Sequence, residues 1–145
     1  MNLTFFNAKP YYDTDTIRET MMEALPAKNE EVLDRILQRY YEDENMHLMG
    51  VLDEDENMLG IIGLKLDELG IGTILHLRSN NDSNKNLVYK ELINKIIFKF
   101  KLNKLKGRAS EPLLIFYKSL GFSSRLIGEK PPGVNWYGVE LEINQ

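Results

Sequence analysis

Leu114-Ile115-Phe116-Tyr117-Lys118-Ser119-Leu120-Gly121-Phe122 is the stretch on which the fold turns. Its apolar residues recur at helical spacing, and Gly121 is the residue type that ends a helix in a left-handed turn. Ser110 stands where an N-cap belongs and Pro112 falls in the first turn, so the spacing predicts a helix from Ser110 to Gly121. Lys104-Leu105-Lys106-Gly107-Arg108 reads as the strand before it and Ser123 to Gly128 as the strand after. Pro131-Pro132-Gly133 makes a sharp turn, and Trp136 to Ile143 alternates as a last strand.

Toward the N-terminus comes the longest apolar helix, Leu87 to Phe100, with Val88, Leu92, Ile96 and Phe100 on one face and Tyr89, Ile93 and Ile97 on the next. An apolar arc that wide implies burial against a sheet. The polar loop Arg78 to Asn86 feeds it. Met46 to Leu52, Met58 to Leu66 and Ile71 to Leu77 are strand candidates separated by two short acidic turns, so they form an antiparallel meander. Before them lie two amphipathic helices. Asp13, Thr14 and Asp15 offer caps for the first, Pro26 ends it, and Asn29 caps the second, with Val32, Leu33, Ile36, Leu37 and Tyr40 as its stripe. Leu3 to Phe6 is the opening strand. The order is β-α-α-β-β-β-α-β-α-β-β: a mixed α/β domain spanning residues 1–145, with a mostly antiparallel central sheet flanked by helices and one strand–loop–helix–strand crossover of the parallel kind.

The 145 residues are 43% hydrophobic and 28% charged, enough apolar mass for one real core. The net charge of −4 argues against a dedicated nucleic-acid binder. Net charge hides a split. From Asp13 to Glu56 there are 14 acidic and 4 basic residues, a balance of −10; from Arg78 to Arg108 there are 9 basic and 2 acidic, a balance of +7. Such runs are first of all solvated helix faces, yet the split lets one region attract cations and another anions. There are no cysteines, which removes disulfides, thiolate metal sites and cysteine nucleophiles. No apolar run approaches the roughly 20 residues that cross a bilayer, and the N-terminus lacks the pattern of a secretory signal. A cytoplasmic protein with neither membrane nor nucleic-acid partner is expected.

The element order and the FYKSLGF stretch resemble the GNAT superfamily of acyl-CoA-dependent N-acyltransferases, whose last helix often carries a phenylalanine–tyrosine pair, a lysine-containing turn and Gly-Phe. The resemblance covers nearly the whole chain in layout and a short motif in wording. It implies an acyl-CoA, acetyl-CoA as co-substrate, held where two central strands splay apart, here the strand ending near Leu77 and the one around Leu105. The pantetheine arm would pair with main-chain groups of Leu77, Arg78 and Ser79. The pyrophosphate would sit on Asn84, Lys85, Asn86, Leu87, Val88 and Tyr89, where amides at a helix N-terminus and the helix dipole favour negative charge. The chain departs from the family's phosphate signature, which has Gln or Arg, two residues, Gly, one residue, then Gly or Ala. The matching positions are Asn84, Leu87 and Tyr89, and no glycine occurs from Thr73 to Lys106. Glycine allows close backbone approach, so Leu87 and Tyr89 would crowd the phosphates unless they turn inward to the sheet. Lys85, Asn84 and Asn86 could supply compensating donors.

The resemblance makes Tyr117 the proton donor to the departing thiolate, a phenol being protonated at neutral pH; otherwise it is a core tyrosine with its hydroxyl at the rim. It implies an N-acetyltransferase acting on a primary amine of a small molecule or peptide, by direct attack in a ternary complex since no cysteine is available for an acyl-enzyme. The competing reading is a non-catalytic binding or regulatory module that has lost the phosphate cradle. No general base stands out. His76 is one residue from Leu77 and should face away from the family's bases, as a packed histidine, and His47 has no visible partner. Neither histidine has metal-ligand spacing, so no metal is expected. The pairs Tyr11-Tyr12 and Tyr40-Tyr41 could shape an acceptor pocket or simply cap the core. Trp136 and Tyr137 could line an acceptor cleft or part of a homodimer surface.

Overall fold

The computed structural model describes residues 2–130 and 132–143, so Pro131 of the expected Pro-Pro-Gly turn lies outside them. The elements follow the expected order: β1 (Thr4–Asn7), a 3-10 turn (Lys9–Tyr11), α1 (Asp15–Ala24), α2 (Glu30–Glu42), β2 (Met46–Leu52), β3 (Met58–Leu66), β4 (Ile71–Ser79), α3 (Lys85–Phe100), β5 (Lys104–Ala109), α4 (Glu111–Ser119), β6 (Ser123–Glu129) and β7 (Asn135–Glu142). The strands form one sheet in the order β1-β2-β3-β4-β5-β7-β6. Every neighbouring pair is antiparallel except β4 with β5, which the α3 crossover makes parallel.

Helices cover the sheet unevenly. On one face α1 and α2 bury Ile17, Met21, Leu33, Leu37 and Tyr40 against Met46, Leu48 and Ile61 of β2 and β3. On the other, α3 and α4 bury Leu92, Ile93, Ile96, Leu114 and Tyr117 against Ile62, Leu64, Leu105 and Val139. Each fully buried aliphatic side chain stabilises the fold by roughly 1.5–3 kcal/mol, so α3, with Leu92, Ile93 and Ile96 buried, is the main strut. Arg18 ties α1 to α2 through Glu30 (2.7 Å) and Asp34 (2.8 Å). Both carboxylates are exposed, and such bridges add little. The Asn29 side chain caps α2 by accepting from the amides of Glu31 and Val32.

Some boundaries differ from the sequence reading. Pairing of Arg78 with Ile61 and of Ser79 with Gly60 carries β4 two residues past Leu77. The Asn84 carbonyl accepts the Val88 N–H (3.0 Å), which winds Lys85 and Asn86 into the first turn of α3. Ser110 sits at the N-cap position of α4 in extended conformation, but its side chain makes no capping bond.

Candidate active site

The parallel ladder between β4 and β5 is short. It joins Ile71 to Lys104, Gly72 to Leu105 and Thr73 to Lys106, then stops. β4 stays paired with β3 as far as Ser79, and β5 with β7 as far as Ala109. From Ile74 onward, then, β4 has an edge without a strand partner, facing a wedge that opens toward α3. A fork in an otherwise continuous sheet is a place where an extended ligand can add its own amides to the strand edge.

Tyr117 points to the base of that fork. A methyl group built on Gly107, the first β5 residue past the last pair, would lie 3.7 Å from the Tyr117 hydroxyl oxygen and 3.7 Å from Ile74 Cβ. The ring is buried, 1% exposed, and no hydrogen bond reaches its hydroxyl among the described residues. Burial pushes its pKa above the usual phenol value, with the nearby Tyr89 adding to the effect, so it is a neutral donor throughout the physiological range.

The FYKSLGF wording has a mechanical meaning. Gly121 takes φ +95, its amide bonds the Lys118 carbonyl (3.0 Å), and the Phe122 amide bonds the Tyr117 carbonyl (3.1 Å). This is the double-bonded helix stop in which the third residue from the helix end meets the second residue beyond it. Those two residues are Tyr117 and Phe122, whose rings pack 4.9 Å apart. Phe116 stacks edge-on against Tyr89 at 5.6 Å. At the other end of α4, Tyr137 donates to Glu111 (3.0 Å), tying the helix to β7.

At the mouth of the fork stand Ser79, the 80–84 loop and the start of α3. The Ser79 hydroxyl bonds both the carbonyl and the amide of Asn81 (3.1 Å each), and the Asn81 side chain accepts from the Asn84 amide (3.1 Å). Asn84 gives no side-chain cap to the first-turn amides of α3. No residue from 79 to 89 has positive φ. The loop thus traces its path without any conformation that glycine alone tolerates, and the missing glycines bear only on side-chain bulk. That bulk is divided. Val88 and Tyr89 turn into the core, 2% and 7% exposed, whereas Leu87 stays 41% exposed at the helix start. Burial raises the Tyr89 pKa, while Arg78 and the Ser79 amide oppose the rise.

The opposite face of β4 holds His76 and Arg78. His76 Nδ1 lies 2.6 Å from the Tyr40 hydroxyl, and burial lowers its pKa. Gly63 is its cross-strand partner, and the Tyr40 hydroxyl occupies the space that a side chain there would need. Arg78 keeps a buried Nε with no partner among the described residues. A bulge at Leu75, where Gly63 pairs with His76 but Leu64 with Ile74, breaks the two-residue alternation. Thr73 and His76 therefore share a face although they are three apart, which no parity count on the sequence could reveal.

The remaining aromatic candidates make local contacts. Tyr12 stacks on Tyr41 (4.4 Å), Tyr11 meets Phe6 edge-on (6.1 Å), and Trp136 donates to the Lys130 carbonyl (2.8 Å). His47 tilts against Phe100 at 4.5 Å. No helix among the described residues is long and apolar enough to cross a membrane.

No family model and no curated protein matches the sequence. Solved structures do match. A protein assigned to the GNAT family of acetyltransferases, from Desulfovibrio desulfuricans, aligns over 97% of this chain and 99% of its own, with 16% identity and a TM-score of 0.74. The ribosomal-protein-S18-alanine N-acetyltransferase of Escherichia coli aligns over 99% and 96%, with 13% identity and a TM-score of 0.74. The Campylobacter jejuni N-acetyltransferase PseH, in complex with acetyl coenzyme A, aligns over 99% and 100%, with 16% identity and a TM-score of 0.67. With coverage this complete at identities this low, the likeness is one of architecture: the chain has the GNAT fold.

Proposed function

We propose that the protein is an N-acetyltransferase that moves an acetyl group from acetyl-CoA to a primary amine of a small molecule or peptide. The observation that carries this reading is the fork between β4 and β5 with the Tyr117 hydroxyl, unpartnered among the described residues, at its base. The residues present suit the co-substrate. The free edge of β4 at Leu77, Arg78 and Ser79 can pair with the pantetheine amides. The uncapped amides of Lys85, Asn86 and Leu87, with the Lys85 ammonium, can take the pyrophosphate. The thioester supplies an activated acyl group. A neutral amine attacks its carbonyl carbon, the carbon–sulfur bond breaks, Tyr117 gives its proton to the leaving sulfur, the proton lost by the amine passes to solvent, and the Tyr117 phenolate takes a proton back from solvent. No acyl-enzyme is required, in keeping with a chain that has no cysteine.

Acetyl-CoA titrated against thermal unfolding tests the reading. Ligand at about 100 times its dissociation constant stabilises by about 2.7 kcal/mol. At about 0.3 kcal/mol per degree for a chain of this length, that is a rise of roughly 9 °C. Acetyl transfer to a panel of primary amines should accompany it. No thermal shift at millimolar acetyl-CoA, and no transfer, would return the non-catalytic module as the better account.

A further inference from the structure

The two helices on the α1/α2 face stop over β4, so no helix among the described residues covers that face of β5, β7 and β6. A groove of about 680 Å³ runs across it, beginning at Thr73 and Lys106, the last pair before the fork. Three cations line the groove: Lys106 and Arg108 from β5 and Arg125 from β6. None of the three makes an ion pair or a side-chain hydrogen bond among the described residues. The one carboxylate in the lining, Glu140, already faces the Lys104 ammonium at 3.7 Å.

The register sets two of these cations on either side of one residue. Arg108 and Arg125 both lie opposite Gly138 of β7, one on each side. Gly138 has no side chain to separate them. Where a Gly138 methyl group would stand, the nearest atoms are Ile127 Cγ2 at 3.5 Å and Arg125 Nε at 3.8 Å, so Arg125 lies along the floor with Ile127 beside it. Gly107 forms the end of the groove nearest the fork, and its other face meets the Tyr117 hydroxyl. The groove is therefore one strand's thickness from the proton donor, on the side from which an amine can approach while Tyr117 serves the sulfur from the other.

Resting on the acetyltransferase reading, we infer that the acceptor amine carries an oxyanion, a carboxylate or phosphate on the same small molecule, and that Arg108 and Arg125 bind it over Gly138. Two arginines that flank one glycine floor suit bidentate oxyanion binding and repel a polyamine. This selects anionic amines from the wide class of primary amines that the fold could serve.

The test compares ethanolamine, O-phosphoethanolamine, glycine and spermidine as acceptors, and measures their binding by titration calorimetry in the presence of CoA. The full chain should prefer glycine or O-phosphoethanolamine over ethanolamine by about tenfold or more in kcat/KM, since a charge-assisted contact contributes about 1.5–3 kcal/mol. Which of the two leads identifies the oxyanion. In the doubly substituted Arg108→Gln/Arg125→Gln chain that ratio should collapse toward one through KM, while the acetyl-CoA dissociation constant stays put. Acetylation with no charge preference, a preference for spermidine, or a loss of acetyl-CoA affinity in the double variant would overturn the inference and leave the transferase reading standing. If no amine is acetylated yet O-phosphoethanolamine binds and the double variant loses that binding, the groove stands as an anionic-amine site and the transferase reading falls.

Discussion

Replacing Tyr117 by Phe separates a working hydroxyl from a packed ring. The ring contacts with Phe116 (5.7 Å) and Phe122 (4.9 Å) survive the change. Only an oxygen with no protein partner among the described residues is removed. A buried hydroxyl that gains no internal bond does not stabilise the fold, and its desolvation costs about 1–3 kcal/mol at full burial. The hydroxyl faces the fork, so part of that cost is relieved. We expect the melting temperature of Tyr117→Phe to stay level or rise by up to roughly 3 °C, the equivalent of about 1 kcal/mol. Turnover should move the other way. A positioned general acid contributes about 10²–10⁴-fold, so kcat should fall at least about 100-fold, close to 2.7 kcal/mol of barrier, with the acetyl-CoA KM nearly unchanged. Release of free thiol from acetyl-CoA is a clean assay because the chain has no cysteine to react with the detecting reagent. Wild-type kcat in a folded Tyr117→Phe protein would refute the assignment of the proton donor.

Three further outcomes follow from local geometry. Burial lowers the His76 pKa, so below the unfolded value near 6.5 the unfolded chain binds more protons than the folded one; stability should drop as pH falls from 7 through this range, and His76→Gln should flatten the loss in urea titrations at a series of pH values. Gly63→Ala puts a methyl group into the Tyr40 hydroxyl, and because Tyr40 is fully buried it cannot step aside; a loss of about 3 kcal/mol or more is expected, read as a fall in melting temperature of roughly 10 °C, whereas Gly138→Ala, with its nearest neighbour at 3.5 Å, should be mild by the same measurement. Asn29→Ala removes the cap shared by two amides of α2 and should cost about 1 kcal/mol in chemical denaturation, while Ser110→Ala, whose hydroxyl makes no capping bond, should cost less.

A great deal of this architecture is legible in the amino-acid order. Local rules suffice for the period of the apolar residues in α3, the short acidic turns of the meander and the Gly121 stop after α4, because each depends on residues within a few positions of one another. The same locality explains why FYKSLGF could be recognised before its purpose was visible: the stop bonds only Tyr117, Lys118, Gly121 and Phe122. The absent glycines between Thr73 and Lys106 read as an obstacle in sequence; the loop carries no positive φ and Tyr89 turns into the core, while Leu87 stays exposed at the start of α3. Its path is set by Ser79 and Asn81 hydrogen bonds, which substitute for glycine's freedom.

What tertiary structure alone decided is where separated segments meet. The fork exists because β4 and β5 share just three residue pairs before each follows its other neighbour, β3 or β7. The bulge at Leu75 depends on the register with β3 and moves Thr73 to the face of His76. Arg108 and Arg125 come from strands joined in the sheet only through β7, and no run of sequence hints that both stand opposite Gly138. Periodicity reports what a residue's own neighbours require; long-range strand pairing, which sums many weak contacts across the chain, determines which charges and hydroxyls end up together.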